Sequence, residues 1–283
     1  MNLENFGYAI ERIAIGLCKK KLIADKIVIL SDYYFDGVAS GNTYSCLGLW
    51  MGSIAYTLQL YFDFSGYSDM AIGIGKLLGF DIYENFNEPY QANSISDFWK
   101  RWHISLSQWF KDYVYIPLGG NRCSISRHIL NLFIVWILTG IWHGADWSYM
   151  LWGIGYFVLL VLEKYVPIMR KIGNSWYGHI YTLFFVNILW ILFRSDSVAT
   201  SGKYINGMIG ANGLGTIEDK AVIFLPYLLM IVFLCFPWKR FLKRYYERKW
   251  YIILKGIIML ILVGLAICAV INSSYTPYIY GDF

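Results

Sequence analysis

Two histidines sit where their chemistry could be used. His143 stands in Trp142-His143-Gly144-Ala145-Asp146-Trp147, between the apolar runs Ile129 to Trp142 and Trp147 to Leu162. An imidazole ordinarily titrates near pH 6.5, so it can accept and return a proton around neutrality. Partial desolvation favours its neutral, basic form. An ionisable side chain at membrane depth is costly enough that function is its first reading; the alternative is a structural ring donating to a helix carbonyl. Gly140 and Gly144 flank it and are read as admitting a substrate close to the backbone. Asp146 either orients the imidazole or caps the helix that follows, and capping is the expected role. His103, in Arg101-Trp102-His103, lies within Phe98 to Tyr115, a run opened by the Ser-x-x-acid signal of Ser94 to Asp97 and closed by Pro117 and Gly119-Gly120. On a helical wheel Trp99, Trp102, Leu106, Trp109 and Tyr113 form one stripe, which predicts an interfacial helix with His103 at the stripe's edge.

Other chemistries find no support. No Gly-x-Ser-x-Gly, His-x-x-x-His or carboxylate cluster is present, so neither a serine hydrolase nor a metal site is expected. Gly66, Gly73, Gly75 and Gly79 have the wrong spacing for a dinucleotide fingerprint and are read as helix-packing positions. Cysteines at 18, 46, 123, 235 and 268 form no Cys-x-x-Cys pair and are expected to be buried, inert thiols.

The elements that must position the histidines follow from composition. Of 283 residues, 57% are hydrophobic and only 15% charged, where soluble domains carry about 25% charged residues. Apolar runs recur along nearly the whole chain, so residues 1–283 are read as a single membrane-embedded, all-α unit. The 12 Trp and 24 Tyr fit the amphipathic rings that gather at membrane interfaces. A net charge of +5, clustered between apolar runs, orients helices and gives no nucleic-acid motif.

A spanning helix needs about 20 apolar residues. Tyr44 to Phe62, His179 to Phe193, Ala221 to Trp238 and Ile252 to Ile271 are candidates. The runs on either side of His143 hold 14 and 16 residues, or about 21 and 24 Å of helix at 1.5 Å per residue, so they are read as half-length helices joined below the surface. Residues 1–43 are read as an amphipathic, interfacial segment, because Arg12, Lys19-Lys20-Lys21, Asp25 and Lys26 interrupt its apolar stretches. No N-terminal signal peptide is seen. The basic cluster Lys239 to Lys249 is placed on the cytoplasmic side. Counting spans back from it puts 63–128 on the cytoplasmic side and the 143–146 turn toward the outside.

Three stretches then resemble a known family: Tyr61-Phe62-Asp63-Phe64-Ser65-Gly66-Tyr67-Ser68-Asp69-Met70-Ala71; Phe98-Trp99-Lys100-Arg101-Trp102-His103-Ile104-Ser105-Leu106-Ser107 with Asp112-Tyr113-Val114-Tyr115-Ile116-Pro117-Leu118-Gly119-Gly120; and Gly140-Ile141-Trp142-His143-Gly144. These are similar to the membrane-bound O-acyltransferases, nearest to the alginate and peptidoglycan O-acetyltransferase branch and related to teichoic-acid D-alanylation. The similar texture runs from about residue 4 to the closing Pro277-Tyr278-Ile279-Tyr280.

The resemblance implies a helical multi-pass protein of a bacterial plasma membrane, built around a tunnel. It implies His143 as the catalytic histidine and His103 as the second active-site residue. The expected reaction moves an acyl group, acetyl by preference, from a cytoplasmic thioester toward a hydroxyl of an extracytoplasmic polysaccharide or partner acetyltransferase. The donor substrate is acetyl-CoA or an acylated carrier, no cofactor is bound, and membrane lipid is the surrounding partner. Family members carry further membrane helices ahead of this chain's first residue, which suggests an N-terminally truncated product. The rival readings are a transporter or translocation scaffold with His143 as proton relay, and an inactive fragment that only binds a partner.

Overall fold

The computed structural model describes residues 2–173 and 175–272, position 239 by its backbone alone. The described residues form helices joined by turns, and their only strand-like feature is an isolated bridge between Phe86 and Trp102. In chain order the helices are α1 (Leu3–Cys18), α2 (Asp25–Ala39), α3 (Cys46–Leu77), α4 (Ile95–Trp99), α5 (Ile104–Phe110), α6 (Ile125–His143), α7 (Trp147–Tyr165), α8 (Pro167–Gly173), α9 (Tyr177–Arg194), α10 (Val198–Met208), α11 (Asp219–Leu234), α12 (Trp238–Leu242) and α13 (Lys249–Asn272). Contacts divide the chain into two compact units, one from Met1–Ser31, Ala55–Glu84 and Val222–Phe283, the other from Asp32–Ile54 and Asn85–Ala221.

In the first unit, the charges that interrupt the early apolar stretches are neutralised by acids far along the chain. Lys20, in a π-helical turn over Lys19–Ala24, is 4% exposed and pairs with Asp63 at 2.5 Å and Asp25 at 3.0 Å. Arg12 and Lys19 both reach Asp69, at 2.5 and 2.7 Å. Charges are expensive to bury unless paired, and this pairing lets α3 continue through Asp63 and Asp69 for 32 residues instead of stopping at Phe62 as the hydropathy suggested. The glycines act as expected at two positions. A Cβ on Gly66 would lie 2.9 Å from the Gly16 carbonyl oxygen, and one on Gly73 would lie 2.6 Å from that of Ala9, so α1 and α3 touch backbone to backbone. Gly79 instead turns the chain at φ +87° after α3.

In the second unit, α6 and α7 pack as closely. A Cβ on Gly153 would come within 2.4 Å of the Trp136 carbonyl oxygen, and one on Gly140 within 2.7 Å of that of Tyr149. Arg194, at the end of α9, holds Asp32 and Asp36 at 2.8 and 3.0 Å. Glu218 accepts from the Ser45 N–H at 2.7 Å and the Tyr34 hydroxyl at 2.8 Å.

Among the described residues three helices, α6, α9 and α13, are long and apolar enough to cross a membrane, or four spans if α7 and α8, bent by 98°, count as one. α9 and α13 fall where the apolar runs predict, whereas α11 ends at Leu234 after 16 residues. The helices beside His143 are longer than the runs that announced them. Both have 19 residues, about 28 Å each, because Ser124 caps α6 ahead of a polar first turn, Ile125-Ser126-Arg127-His128, and α7 keeps Glu163 and Lys164 within its last turn. They are therefore not half-length spans. Contrary to expectation, the cysteines are not fully buried: Cys18, Cys46, Cys123 and Cys235 are half-buried, and Cys268 is exposed on α13. The closing Pro277-Tyr278-Ile279-Tyr280 lies outside the described residues.

Candidate active site

The expected helix from Phe98 to Tyr115 is broken into three pieces. Ser94 caps α4 by accepting from the Asp97 N–H at 3.0 Å, an interaction worth about 1 kcal/mol. A turn at residues 100–103 then separates α4 from α5, and a π-helical turn, Lys111–Tyr115, follows α5. The break divides the aromatic stripe: Trp99 and Trp102 are buried, while Trp109 and Tyr113 are exposed. At the break His103 has φ +44°, a left-handed conformation that non-glycine residues seldom adopt and that clusters at functional sites. Its neighbours hold it there. Asn87 N–H donates to the Arg101 carbonyl at 2.9 Å, and Ile104 N–H donates to that of Asn85 at 3.1 Å. The Asn85 side-chain oxygen also accepts from the Ser105 N–H and hydroxyl at 3.1 and 2.6 Å. Burial pulls the His103 imidazole down from its ordinary value to about 4, so the ring is neutral at physiological pH.

His143 is the last residue of α6 and is 5% exposed. Its ring lies 5.0 Å from those of Trp152 and Phe193, edge to face, and 4.8 Å from Trp142. Trp142 in turn lies 6.1 Å from the His103 ring. The two histidines, 40 positions apart, are thus brought to one indole and into electrostatic reach of one another. Asp146 is the cap of α7, accepting from the Ser148 N–H at 2.7 Å. Gly144, at φ +154°, makes room for the Tyr149 ring, which a Cβ there would meet at 2.7 Å. Gly140 and Gly144 therefore serve helix packing, a correction to the reading that they admit substrate.

Around these rings Trp99, Trp136, Trp152, Tyr156 and Trp190 pack at centroid separations of 4.8 to 6.5 Å. Among the described residues, the indole N–H groups of Trp99, Trp152 and Trp190 and the Tyr156 hydroxyl have no hydrogen-bond partner. Buried polar groups are normally paired, so the wall beside His143 carries donors with nothing to donate to. A groove of about 180 Å³ is lined by Trp99, Leu106, Phe110, Trp136 and Thr139 with Lys111 among its residues, and neither histidine is part of its lining.

Sequence reasoning missed two buried ionisable groups toward the other ends of α6 and α7. His128 on α6 bridges the hydroxyls of Tyr115 and Tyr165, at 2.8 and 2.5 Å. Glu163 on α7 accepts from backbone N–H groups of α4. Neither lies in a motif, and both partners of each are remote in sequence, so no local signal marks them.

Residues 1–202 match the membrane-bound O-acyltransferase family. The chain belongs to that family. The peptidoglycan O-acetyltransferase of Helicobacter pylori is 40% identical over 218 residues, covering 76% of this chain and 41% of that protein. A probable alginate O-acetylase of Pseudomonas syringae pv. tomato is 43% identical over 209 residues, covering 73% and 39%. The teichoic acid D-alanyltransferase of Bacillus subtilis is 33% identical over 171 residues, covering 57% and 42%. The chain thus spans about two fifths of the length of these relatives, and the family match stops at residue 202, short of the chain's end.

Proposed function

We propose that this membrane protein transfers an acyl group, acetyl first among them, from a cytoplasmic thioester to a hydroxyl on an extracytoplasmic polysaccharide or partner protein. The observation that carries this reading is the buried His143, gathered with a neutral His103 around Trp142. His143 takes the proton of the acceptor hydroxyl as its oxygen attacks the thioester carbonyl, a role worth about 10² to 10⁴-fold in rate. The tetrahedral intermediate collapses with cleavage of the C–S bond, and the thiolate leaves with the proton held by His143. His103, neutral, has one ring N–H to donate to the carbonyl oxygen as it gains charge. The unpartnered donors of Trp99, Trp152 and Tyr156 suit the same acceptor-rich group.

The relatives' names support ester formation on cell-surface polymers: O-acetylation of peptidoglycan or alginate, and D-alanylation of teichoic acid. The groove lined by Trp99, Phe110 and Thr139, with Lys111 among its residues, suits the arm of an acidic donor such as acetyl-CoA or an acylated carrier protein. Membranes containing the chain, given acetyl-CoA labelled in the acetyl group and a glycan acceptor, are expected to form labelled ester. Proton flux across those membranes without ester formation would overturn the acyltransferase reading in favour of a proton-coupled transporter.

A further inference from the structure

Glu163, near the end of α7, is 8% exposed. Its two carboxylate oxygens accept from the backbone N–H groups of Ile95 at 2.6 Å and Ser96 at 2.9 Å. With Ser94 taking the Asp97 N–H, the first three N–H groups of α4 are all satisfied, two of them by a residue nearly seventy positions away. A buried carboxylate is costly unless hydrogen-bonded, and a five-residue helix does not hold its shape alone. Each group therefore depends on the other. His103 hangs four residues beyond the end of α4, in its left-handed turn. α7 also carries Trp152, which touches His143 at 5.0 Å, and Trp152 and Tyr156 receive Trp99 at 5.8 and 4.9 Å. One helix thus contacts the surroundings of both imidazoles.

We propose that Glu163 is a positioning residue for acyl transfer, its carboxylate tying the His103 segment to α7 and so fixing the separation of the two imidazoles. This rests on the acyltransferase reading given above. It touches neither reacting atom and acts through His103. In the full chain, Glu163→Ala is expected to lower kcat about 10²-fold, the scale of an ångström-sized misplacement, with the acceptor KM unchanged. Amide-hydrogen exchange across residues 95–103 is expected to speed up while α6 keeps its protection. Glu163→Gln keeps one acceptor oxygen and is expected to fall between wild type and Glu163→Ala in both readouts. On a His103→Ala background, Glu163→Ala is expected to cost nothing further in kcat. Unchanged exchange over 95–103, an equal loss of kcat on the His103→Ala background, or exchange raised throughout the chain even in Glu163→Gln would each overturn the proposal. If the wild-type chain transfers no acyl group, the functional reading fails by itself, and exchange over 95–103 still decides the clamp.

Discussion

At the residue scale, the two histidines were legible in the sequence but their surroundings were not. Trp-His-Gly and Arg-Trp-His mark both rings, whereas the left-handed turn at His103 is set by Asn85 and Asn87, which carry no motif. Burial lowers the pKa of His103 to about 4, so the unfolded chain takes up a proton there more readily than the folded one. Its contribution to stability is therefore present above about pH 6.5, the ordinary imidazole value, and is lost as pH falls through about 4. Melting temperature followed from pH 7 to 4 is expected to drop more for wild type than for His103→Asn, a residue that tolerates positive φ. Parallel curves would refute the burial. The Tyr156 hydroxyl gives a second prediction. It is fully buried and unpartnered, a state that costs about 1–3 kcal/mol. Tyr156→Phe is expected to melt about 1 kcal/mol more stably while transferring acyl groups more slowly, and a loss of stability would contradict the unpaired state.

At the scale of elements, hydropathy located α9 and α13 because their apolar residues are contiguous, and misjudged α3 and the region from Phe98 to Tyr115 because long-range partners decided them. α3 passes through Asp63 and Asp69 only because Lys20, Arg12 and Lys19 meet them. The aromatic stripe looked continuous on a wheel, yet the chain turns at residues 100–103 to bury Trp99 and Trp102. α6 approaches α7 closely at Gly153, where an added methyl would lie 2.4 Å from the Trp136 backbone oxygen. Gly153→Ala is expected to cost about 1–3 kcal/mol as overpacking, read as a lower melting temperature. Gly202→Ala on α10, where a Cβ meets nothing within 4 Å, is expected to be neutral or stabilising by about 0.5–1 kcal/mol. Equal effects of the two would remove the close approach as a feature of the fold.

At the scale of the whole molecule, the membrane class was legible in composition, and the family in motifs that lie within residues 1–202. Sidedness is predicted from charge. The segment from 239 to 249 holds six basic residues, Lys239, Arg240, Lys243, Arg244, Arg248 and Lys249, against Glu247 alone, which predicts that it faces the cytoplasm. In a chain freed of its five native cysteines, Lys243→Cys is expected to react with an impermeant thiol reagent only from the cytoplasmic side, and labelling from outside would invert the orientation. The most direct measurement concerns His143. With donor binding measured in the same purified sample, the first-turnover rate of acetyl transfer is expected to fall about 10² to 10⁴-fold in His143→Ala while donor affinity and protein abundance hold. An unchanged first turnover in that variant would contradict the account.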